Sequence, residues 1–520
     1  MTALSGNRSM PAMSDRYNLI EDLLLRHADG GRSTAPALYF EDEAIGYGDL
    51  YHRVGFARGF LAGHGVGRGD RVALVVRDSP AYIYIFLAAI SLGAIPVGID
   101  PNRNPAELPD MLRHVGARCV FVYREETQHL SALAGIGPGV TVVPVDLRLA
   151  DCGFDPADIL SPVDEYESTV AGDILYLTFS SGTTGKAKAV VRRHRDILHC
   201  ARSVAEGLTK TGAGDRVMTV TKLTFGYSLV GGLMFTLLAG GSLIVDAERM
   251  TGERVVEAAL RYRPTILLAQ PRILAELSGL LEAGPRNWLE SLHTVMSAGD
   301  VLAAPVRERW SRLSGIPIAD GFGSVEAGHM FIGSNGGDLP PGALGRALPG
   351  YELKLIDGDG RGMEEGQTGR LCMRGASVTS GYWNDPVRTR AAFEDGWYVS
   401  DDMFMRTGEF YHYAGRWDDM IKTGCGEWVS PVRIENVLRR DPRIADCAVA
   451  AAHDDQAVSR VKAFVVAADP AEAAALEAEI PAQIVREWPR LDYMRVHLME
   501  FVSAIPRSPN GKIVRSRLGS

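Results

Sequence analysis

Residues Thr178 to Lys188 read TFSSGTTGKAK, and this run limits what the chain can be more than any other. Ser180, Ser181, Thr183 and Thr184 place four hydroxyls around Gly182 and Gly185, and Lys186 and Lys188 follow. The preceding Ile174-Leu175-Tyr176-Leu177 is short, apolar and β-prone, so it predicts a buried strand. A strand that empties into a Gly/Ser/Thr loop with lysines makes a polyphosphate cradle. Glycine lets the backbone approach the anion, while amides, hydroxyls and ammonium groups supply donors and charge. The run is not a Walker A loop, because only Thr183 and Thr184 separate Gly182 from Gly185. The plainer alternative is a Ser/Gly-rich turn with solvated lysines, and hydroxyl density this high is rare in such turns.

A chain of 520 residues is too long for one compact core, so two or more domains are expected. Its 46% hydrophobic and 23% charged residues are those of a soluble globular protein. The formal net charge of -9 gives no global electrostatic case for nucleic acid or an anionic membrane. Any polyphosphate must therefore be held by local positive charge. Six cysteines, at 119, 152, 200, 372, 425 and 447, form no C-x-x-C pair and have no metal-ligand spacing. So few thiols suit a reducing compartment. The opening MTALSGNRSMPAMSDRYN lacks the apolar core of a signal peptide and reads as a flexible tail. Apolar runs such as Tyr82–Ile90 and Gly231–Leu238 are too short to span a bilayer. The expectation is a cytoplasmic protein.

Strand-like apolar runs (Val72–Val76, Cys119–Tyr123, Val217–Thr221, Ser242–Val245, Thr265–Ala269, Thr294–Met296) alternate with helical patterns (Ser79–Leu92, Ile197–Gly207, Val255–Arg261, Ile273–Glu282). This predicts an α/β fold of helix-covered, mostly parallel sheets. Near residue 345 the pattern turns antiparallel and more polar, a β-rich subdomain over Tyr351–Ile356, Gly369–Arg374 and Glu409–Ala414. The last hundred or so residues read as a small separate α/β unit. The expected division is a flexible tail over 1–30, a large domain over 31–415 and a small mobile domain over 416–520.

Four more segments carry possible chemistry. Gly321-Phe322-Gly323-Ser324-Val325-Glu326 follows the strand-like Ile316–Ala319. Two glycines there could seat a flat base and Glu326 could face a metal–phosphate complex, although an ordinary turn is as good a reading. Tyr398-Val-Ser-Asp401-Asp402 reads as an acidic loop whose carboxylate could accept both hydroxyls of a ribose. Gly415-Arg416-Trp417-Asp418-Asp419 reads as a hinge, with Arg416 a further donor to the sugar. Pro506 to Lys512 reads PRSPNGK, and its lysine gains meaning only from the company it keeps.

Taken in this order and at these separations, the five segments resemble the adenylate-forming superfamily of acyl-CoA synthetases, peptide-synthetase adenylation domains and luciferases. The resemblance covers about residues 35 to 515. Lys222 to Tyr227 followed by Gly231-Gly-Leu, the Gly321–Glu326 run with His329-Met-Phe, and Pro349-Gly-Tyr-Glu-Leu look most like benzoate- and aryl-CoA ligases. Amino-acid-activating relatives usually carry Asp where this chain has Gly226, so an aryl or other non-amino acid fits better.

The resemblance implies that ATP and a carboxylic acid give an acyl-adenylate, whose acyl group passes to the thiol of CoA. By the same resemblance Ser180, Ser181, Gly182, Thr183, Thr184, Gly185 and Lys188 shield the outer phosphates. Glu326 ligates Mg²⁺, and Gly321, Phe322 and Gly323 border the base. Asp402 and Arg416 hold the ribose. Lys512 bridges carboxylate and α-phosphate, and Asp418 is the pivot of the small domain. Gly226, Tyr227, Ala298, Gly299, Gly321 and His329 line the acid pocket, although Tyr227 and His329 could instead be core residues.

The chain also departs from that pattern. Ala187 and Ala189 stand for Pro and Gly, Val325 for Thr, and Ser400-Asp401-Asp402 for Thr-Gly-Asp. The segment Thr423-Gly-Cys-Gly-Glu-Trp after Lys422 is one residue longer than the aryl-CoA pattern. A bystander thiol is the expected role of Cys425. Three other readings compete: an enzyme that loads the phosphopantetheine of a carrier protein, a diazotase that activates nitrite for an aminoaryl acid, which the altered loops favour, and a non-catalytic nucleotide-binding relative, against which Lys188, Glu326, Asp402, Arg416 and Lys512 argue. A homodimer is left open.

Overall fold

The computed structural model describes residues 10–29, 31–137, 139–149, 166–180, 187–337, 339–423, 428–453, 459–489, 491, 494–507 and 513–518. Two large sheets carry the chemistry. The first has six strands, in the order Thr141–Val145, Ala117–Tyr123, Arg71–Val75, Ile95–Gly98, β1 (Ile174–Ser180) and β2 (Lys188–Arg193). Its neighbours are parallel except for the β1–β2 hairpin, in which Ser180 pairs with Lys188. Its inner strands, Arg71–Val75, Ile95–Gly98 and β1, are mostly buried apolar runs, as expected of parallel strands covered on both faces.

The second sheet has 14 strands. Its parallel half runs through Pro36–Phe40, Ser242–Val245, Arg216–Thr219, Ile266–Ala269, β3 (Thr294–Ser297) and β4 (Ile318–Gly323). Direction then reverses. The antiparallel half contains β5 (Met330–Ser334), β6 (Gly345–Ala347), Tyr351–Ile356, Thr368–Gly375, β7 (Trp397–Thr407) and β8 (Phe410–Arg416). The β-rich region expected from about residue 345 thus starts at Met330 and is hydrogen-bonded into the same sheet.

Between the sheets lies the helix Pro80–Ser91, all twelve of whose residues are buried. Ser79 caps it by accepting from the Tyr82 amide, with Pro80 in the first turn. A helix apolar on every side has to be wrapped by protein, and this one packs with residues of both sheets in one core.

The expected flexible tail needs correction. Leu19, Ile20, Leu23 and Leu24 are fully buried in that core, each burial contributing about 1.5–3 kcal/mol. Asn18 donates to the Ile90 carbonyl at 2.9 Å, and the Leu19 amide donates to Nδ1 of His194 at 3.1 Å. Burial lowers the His194 pKa to about 4, which keeps that nitrogen a free acceptor. The apolar cluster just after Asn18 was the signal that the sequence reading passed over.

The small C-terminal unit has its own core. The helix Pro431–Leu438 and the helix Ala473–Glu487 accompany a three-stranded sheet of Ile444–His453, Ser459–Ala467 and Leu498–Phe501. Ser430 caps the first helix, and its hydroxyl also donates to the Ala414 carbonyl on β8. Among the described residues, no helix is long and apolar enough to cross a membrane. Cys119, Cys200, Cys372 and Cys447 are buried, unpaired thiols; Cys152 and Cys425 lie outside the described residues.

Candidate functional site

The β1–β2 hairpin flanks the hydroxyl-rich loop. Ser181, Gly182, Thr183, Thr184 and Gly185 lie outside the described residues, as does Lys512. Ser180 and Lys188 are placed opposite each other where the loop leaves and rejoins the hairpin. The Lys188 ammonium sits over the ring of Tyr382, 5.2 Å from its centroid. The Tyr382 hydroxyl donates to Oε1 of Glu326 at 3.1 Å. The loop's lysine and the candidate metal carboxylate are therefore joined through one aromatic side chain.

Glu326 sits on the turn between β4 and β5. The turn closes on itself, with the Gly328 amide donating to the Ser324 carbonyl at 3.1 Å and the Ala327 amide to the Ser324 hydroxyl at 3.1 Å. Gly328 has φ +93°, and an added Cβ would meet a guanidinium nitrogen of Arg192 at 2.7 Å, so only glycine fits there. The Glu326 carbonyl accepts from Nη2 of Arg192 and from the Thr379 amide at 2.8 Å. Arg192 is fully buried and donates again to the Ser377 carbonyl at 2.6 Å. Neither Arg192 nor Tyr382 was picked out from sequence. A charged residue at the end of a buried strand was the available signal for Arg192. Nothing local marks Tyr382.

The Gly321–Gly323 run was expected to follow a strand and instead forms the end of one. Gly321 pairs with Gly333, Phe322 with Ile332 and Gly323 with Met330 across β4 and β5. A Cβ at Gly321 would meet the Met330 sulfur at 2.5 Å, and one at Gly323 the His329 carbonyl at 2.6 Å. These glycines thus permit close strand approach. The ring of Phe322 packs among Phe331, Phe404 and Tyr413, with centroids 5.0–5.6 Å away.

The acidic loop is also corrected: Ser400, Asp401 and Asp402 belong to the eleven-residue strand β7. Their polarity hid a strand whose partners lie on both sides. Asp402 stands directly opposite Arg416 on β8. The Ser400 hydroxyl accepts from the Asp402 amide at 3.0 Å. Asp401 is employed structurally, with Arg370 at 3.3 Å and Arg416 at 3.6 Å. Beyond β8, Asp418 is exposed on the 3₁₀ turn Trp417–Asp419.

Tyr227 opens a π-helical stretch, Tyr227–Met234, a geometry frequent at functional sites. Its hydroxyl donates to the Met296 carbonyl of β3 at 2.8 Å, and Ala298 and Gly299 continue from that strand. His329 stacks on Tyr227 with centroids 5.8 Å apart and lies 4.9 Å from Phe235. Gly231 makes room for the imidazole, since a Cβ there would sit 2.5 Å from Nε2. A Cβ at Gly226 would meet nothing nearer than the Gly328 carbonyl at 4.0 Å, so that position is open. Neither ring nitrogen of buried His329 has a well-formed hydrogen bond. Burial lowers its pKa to about 4, the Tyr227 backbone pulling weakly the other way.

A base whose pKa is lowered on folding stabilises fully above its ordinary value of 6.5 and loses that contribution as pH falls toward about 4. His329 is accordingly neutral in use. The KM for the acid is expected to show no ionisation near pH 6.5 that His329→Asn removes. A pH–KM profile of both proteins over about pH 6 to 9 checks this.

Among the described residues no group of three His, Cys, Asp or Glu side chains is placed to hold a metal ion. Magnesium does not need such a cage, since it takes one or two carboxylates and completes its shell with water and substrate phosphates. A lone, buried, hydrogen-bonded Glu326 near a phosphate-loop lysine fits that habit.

Comparison with known proteins identifies the family. The AMP-binding enzyme model matches residues 25–383, and the AMP-binding enzyme C-terminal domain matches 433–512. The chain belongs to the AMP-binding enzyme family. It is 32% identical to the benzoate–CoA ligase of Thauera aromatica, over 97% of this chain and 96% of that protein. It is 32% identical to the anthranilate–CoA ligase of Pseudomonas aeruginosa, over 86% of each. The crystal structure of the anthranilate CoA ligase AuaEII in complex with anthranoyl-AMP superposes with a TM-score of 0.87 at 28% identity, covering 100% of this chain and 98% of that one. A benzoate CoA ligase from Burkholderia xenovorans LB400 gives 0.86 at 30% identity, covering 96% and 99%.

Proposed function

We propose that the protein activates an aromatic carboxylic acid with ATP as the acyl-adenylate and passes the acyl group to the thiol of CoA. One observation carries this reading: a single turn bears Glu326, linked to Lys188, and, three residues on, His329, stacked on Tyr227. A nucleotide–metal group and an aromatic wall are thereby held at a fixed short separation. The open, uncharged position at Gly226 leaves room for a ring and offers nothing to an α-ammonium group.

In the first step the acid's carboxylate oxygen attacks the α-phosphorus and pyrophosphate leaves. An anion must meet an anion, so positive charge has to gather at the transition state. Lys512 supplies it at the attacking carboxylate and α-phosphate. Lys188 and the donors of residues 180–185 hold the leaving phosphates. Glu326 would hold magnesium, which would supply positive charge to the phosphates there. Asp402 accepts the ribose hydroxyls, with Arg416 beside it. Tyr227 and His329 hold the ring, and the neutral imidazole adds no charge to compete with the carboxylate. Gly321 to Gly323 border the base through backbone. In the second step rotation at Asp418 withdraws Lys512, the thiolate attacks the acyl carbon and AMP leaves.

ATP–pyrophosphate exchange with a panel of benzoates tests the first step. No exchange with any aryl acid, from folded protein that takes up ATP, defeats the proposal. Mass analysis of products with CoA, or with a carrier protein, decides the acceptor. An arm with nitrite and an aminoaryl acid detects the diazotase alternative.

A further inference from the structure

We propose that Tyr382 is a positioning residue that aims the Glu326 carboxylate at the metal ion while holding Lys188 apart from it. The inference rests on the function proposed above. Tyr382 is 6% exposed and is fixed from several sides. Its segment is stitched onto β2: it bridges Val190, the Val191 amide donates to the Gly381 carbonyl at 3.3 Å, and the Trp383 amide donates to the Ala189 carbonyl at 2.7 Å. Its own amide donates to the Thr389 hydroxyl at 3.0 Å. The main chain that presents the phenol therefore moves only if the loop-bearing strand moves.

The carboxylate that receives the phenol is prepared in the same way. Arg192 and the Thr379 amide both bind the Glu326 carbonyl, so the backbone of Glu326 is set and only its side-chain torsions remain free. The Tyr382 hydroxyl takes Oε1 and leaves Oε2 for a cation. The Lys188 ammonium rests on the ring face, where the π-cloud attracts it without consuming its charge. A direct Lys188–Glu326 pair would spend both charges on each other. The interposed ring keeps one for phosphate and one for metal.

A hydrogen bond from an outer group to a metal-ligating carboxylate is commonly worth a tenfold or larger change in metal affinity. With Tyr382→Phe, the apparent affinity for Mn²⁺, read by electron paramagnetic resonance with a non-hydrolysable ATP analogue, is expected to fall about tenfold. The half-saturating Mg²⁺ in pyrophosphate exchange should rise by the same factor, with kcat at saturating Mg²⁺ changed by about twofold at most. Tyr382→Leu removes the ring as well, and should add a loss of kcat because Lys188 loses its platform. Unchanged Mn²⁺ affinity in Tyr382→Phe, with an unaltered thermal transition, overturns the proposal. Should that variant fold poorly, 3-fluorotyrosine placed at 382 offers a second reading by ¹⁹F NMR. Its resonance should move when Mg²⁺ joins the nucleotide complex, and an unmoved resonance overturns the proposal too. Wild-type protein that exchanges no pyrophosphate would instead defeat the functional reading itself.

Discussion

Replacing Lys512 by alanine is expected to lower ATP–pyrophosphate exchange by about two to three orders of magnitude. The same variant should convert a supplied acyl-adenylate and CoA to thioester within about twofold of the wild-type rate. The split follows from what the lysine is proposed to do. Its charge is needed only while two anions meet at the α-phosphorus, and the thiol step proceeds with the small domain turned away. The chain on either side of 508–512 is firmly held: Arg507 bridges Ile513 in the backbone and pairs with Asp446 at 2.8 Å, and the Val514 amide donates to the Pro506 carbonyl at 2.9 Å. Arg515 then reaches Glu435 at 2.6 Å, the Val449 carbonyl at 3.1 Å and Asp419 at 3.5 Å. Asp419 is the neighbour of the proposed pivot, so the anchor of the lysine's segment touches the residue next to that pivot. Exchange at the wild-type rate in Lys512→Ala would remove the lysine from the mechanism.

The second large effect is on stability. Arg192→Leu should cost about 3–5 kcal/mol, the usual penalty for removing one partner of a buried, hydrogen-bonded charge. The Ser377 carbonyl loses its guanidinium donor, the Glu326 carbonyl keeps only the Thr379 amide, and Asp196, 4.0 Å away, loses its nearest cation. Burial raises the Asp196 pKa to about 6, with Arg192 pulling it down. A carboxyl so raised contributes most below its ordinary value of 3.8, and that contribution is lost as pH climbs through about 6. The variant's deficit should therefore be larger at about pH 8 than at about pH 5, where Asp196 can take a proton. Chemical denaturation at both pH values measures it. An equal deficit at the two would mean that Asp196 is not coupled to Arg192. Because the Glu326 backbone hangs on the same guanidinium, exchange activity should fall in any folded fraction.

How much of this was readable beforehand differs from residue to residue. The parallel half of the large sheet was legible, since strands buried on both faces have short apolar cores, as Ser242–Val245 and Thr294–Ser297 do in Leu243–Val245 and Val295–Met296. The strand Ile174–Leu177 that leads into the hydroxyl-rich loop was legible as a short apolar run. Strand β7 was not, because Ser400-Asp401-Asp402 resembles a loop and only its pairing with Thr368–Gly375 and β8 makes it a strand. That is the case in which tertiary pairing overrides local preference. Glu326 was found as a residue, but its supports were not. Arg192 and Tyr382 are far from it in sequence and meet it only because the turn after β4 folds over β2. The ring stack of Tyr227 on His329 was likewise a matter of tertiary placement; the two rings are about a hundred residues apart in the chain.

One property of the large sheet reaches past any single side chain. The strand beside the proposed acid pocket, β4, and the strand bearing Arg416, β8, are separated only by β5 and β6. Three inter-strand steps of about 4.8 Å give a span of about 14 Å that hydrogen bonding fixes. With the proposed roles, the sheet would act as a ruler between the sugar of the nucleotide and the acid pocket. Exchanging Tyr227 or His329 for other side chains can retune which acid is accepted while the gauge stays constant, and an acid of different length has to be accommodated by depth of insertion instead of by widening the cleft.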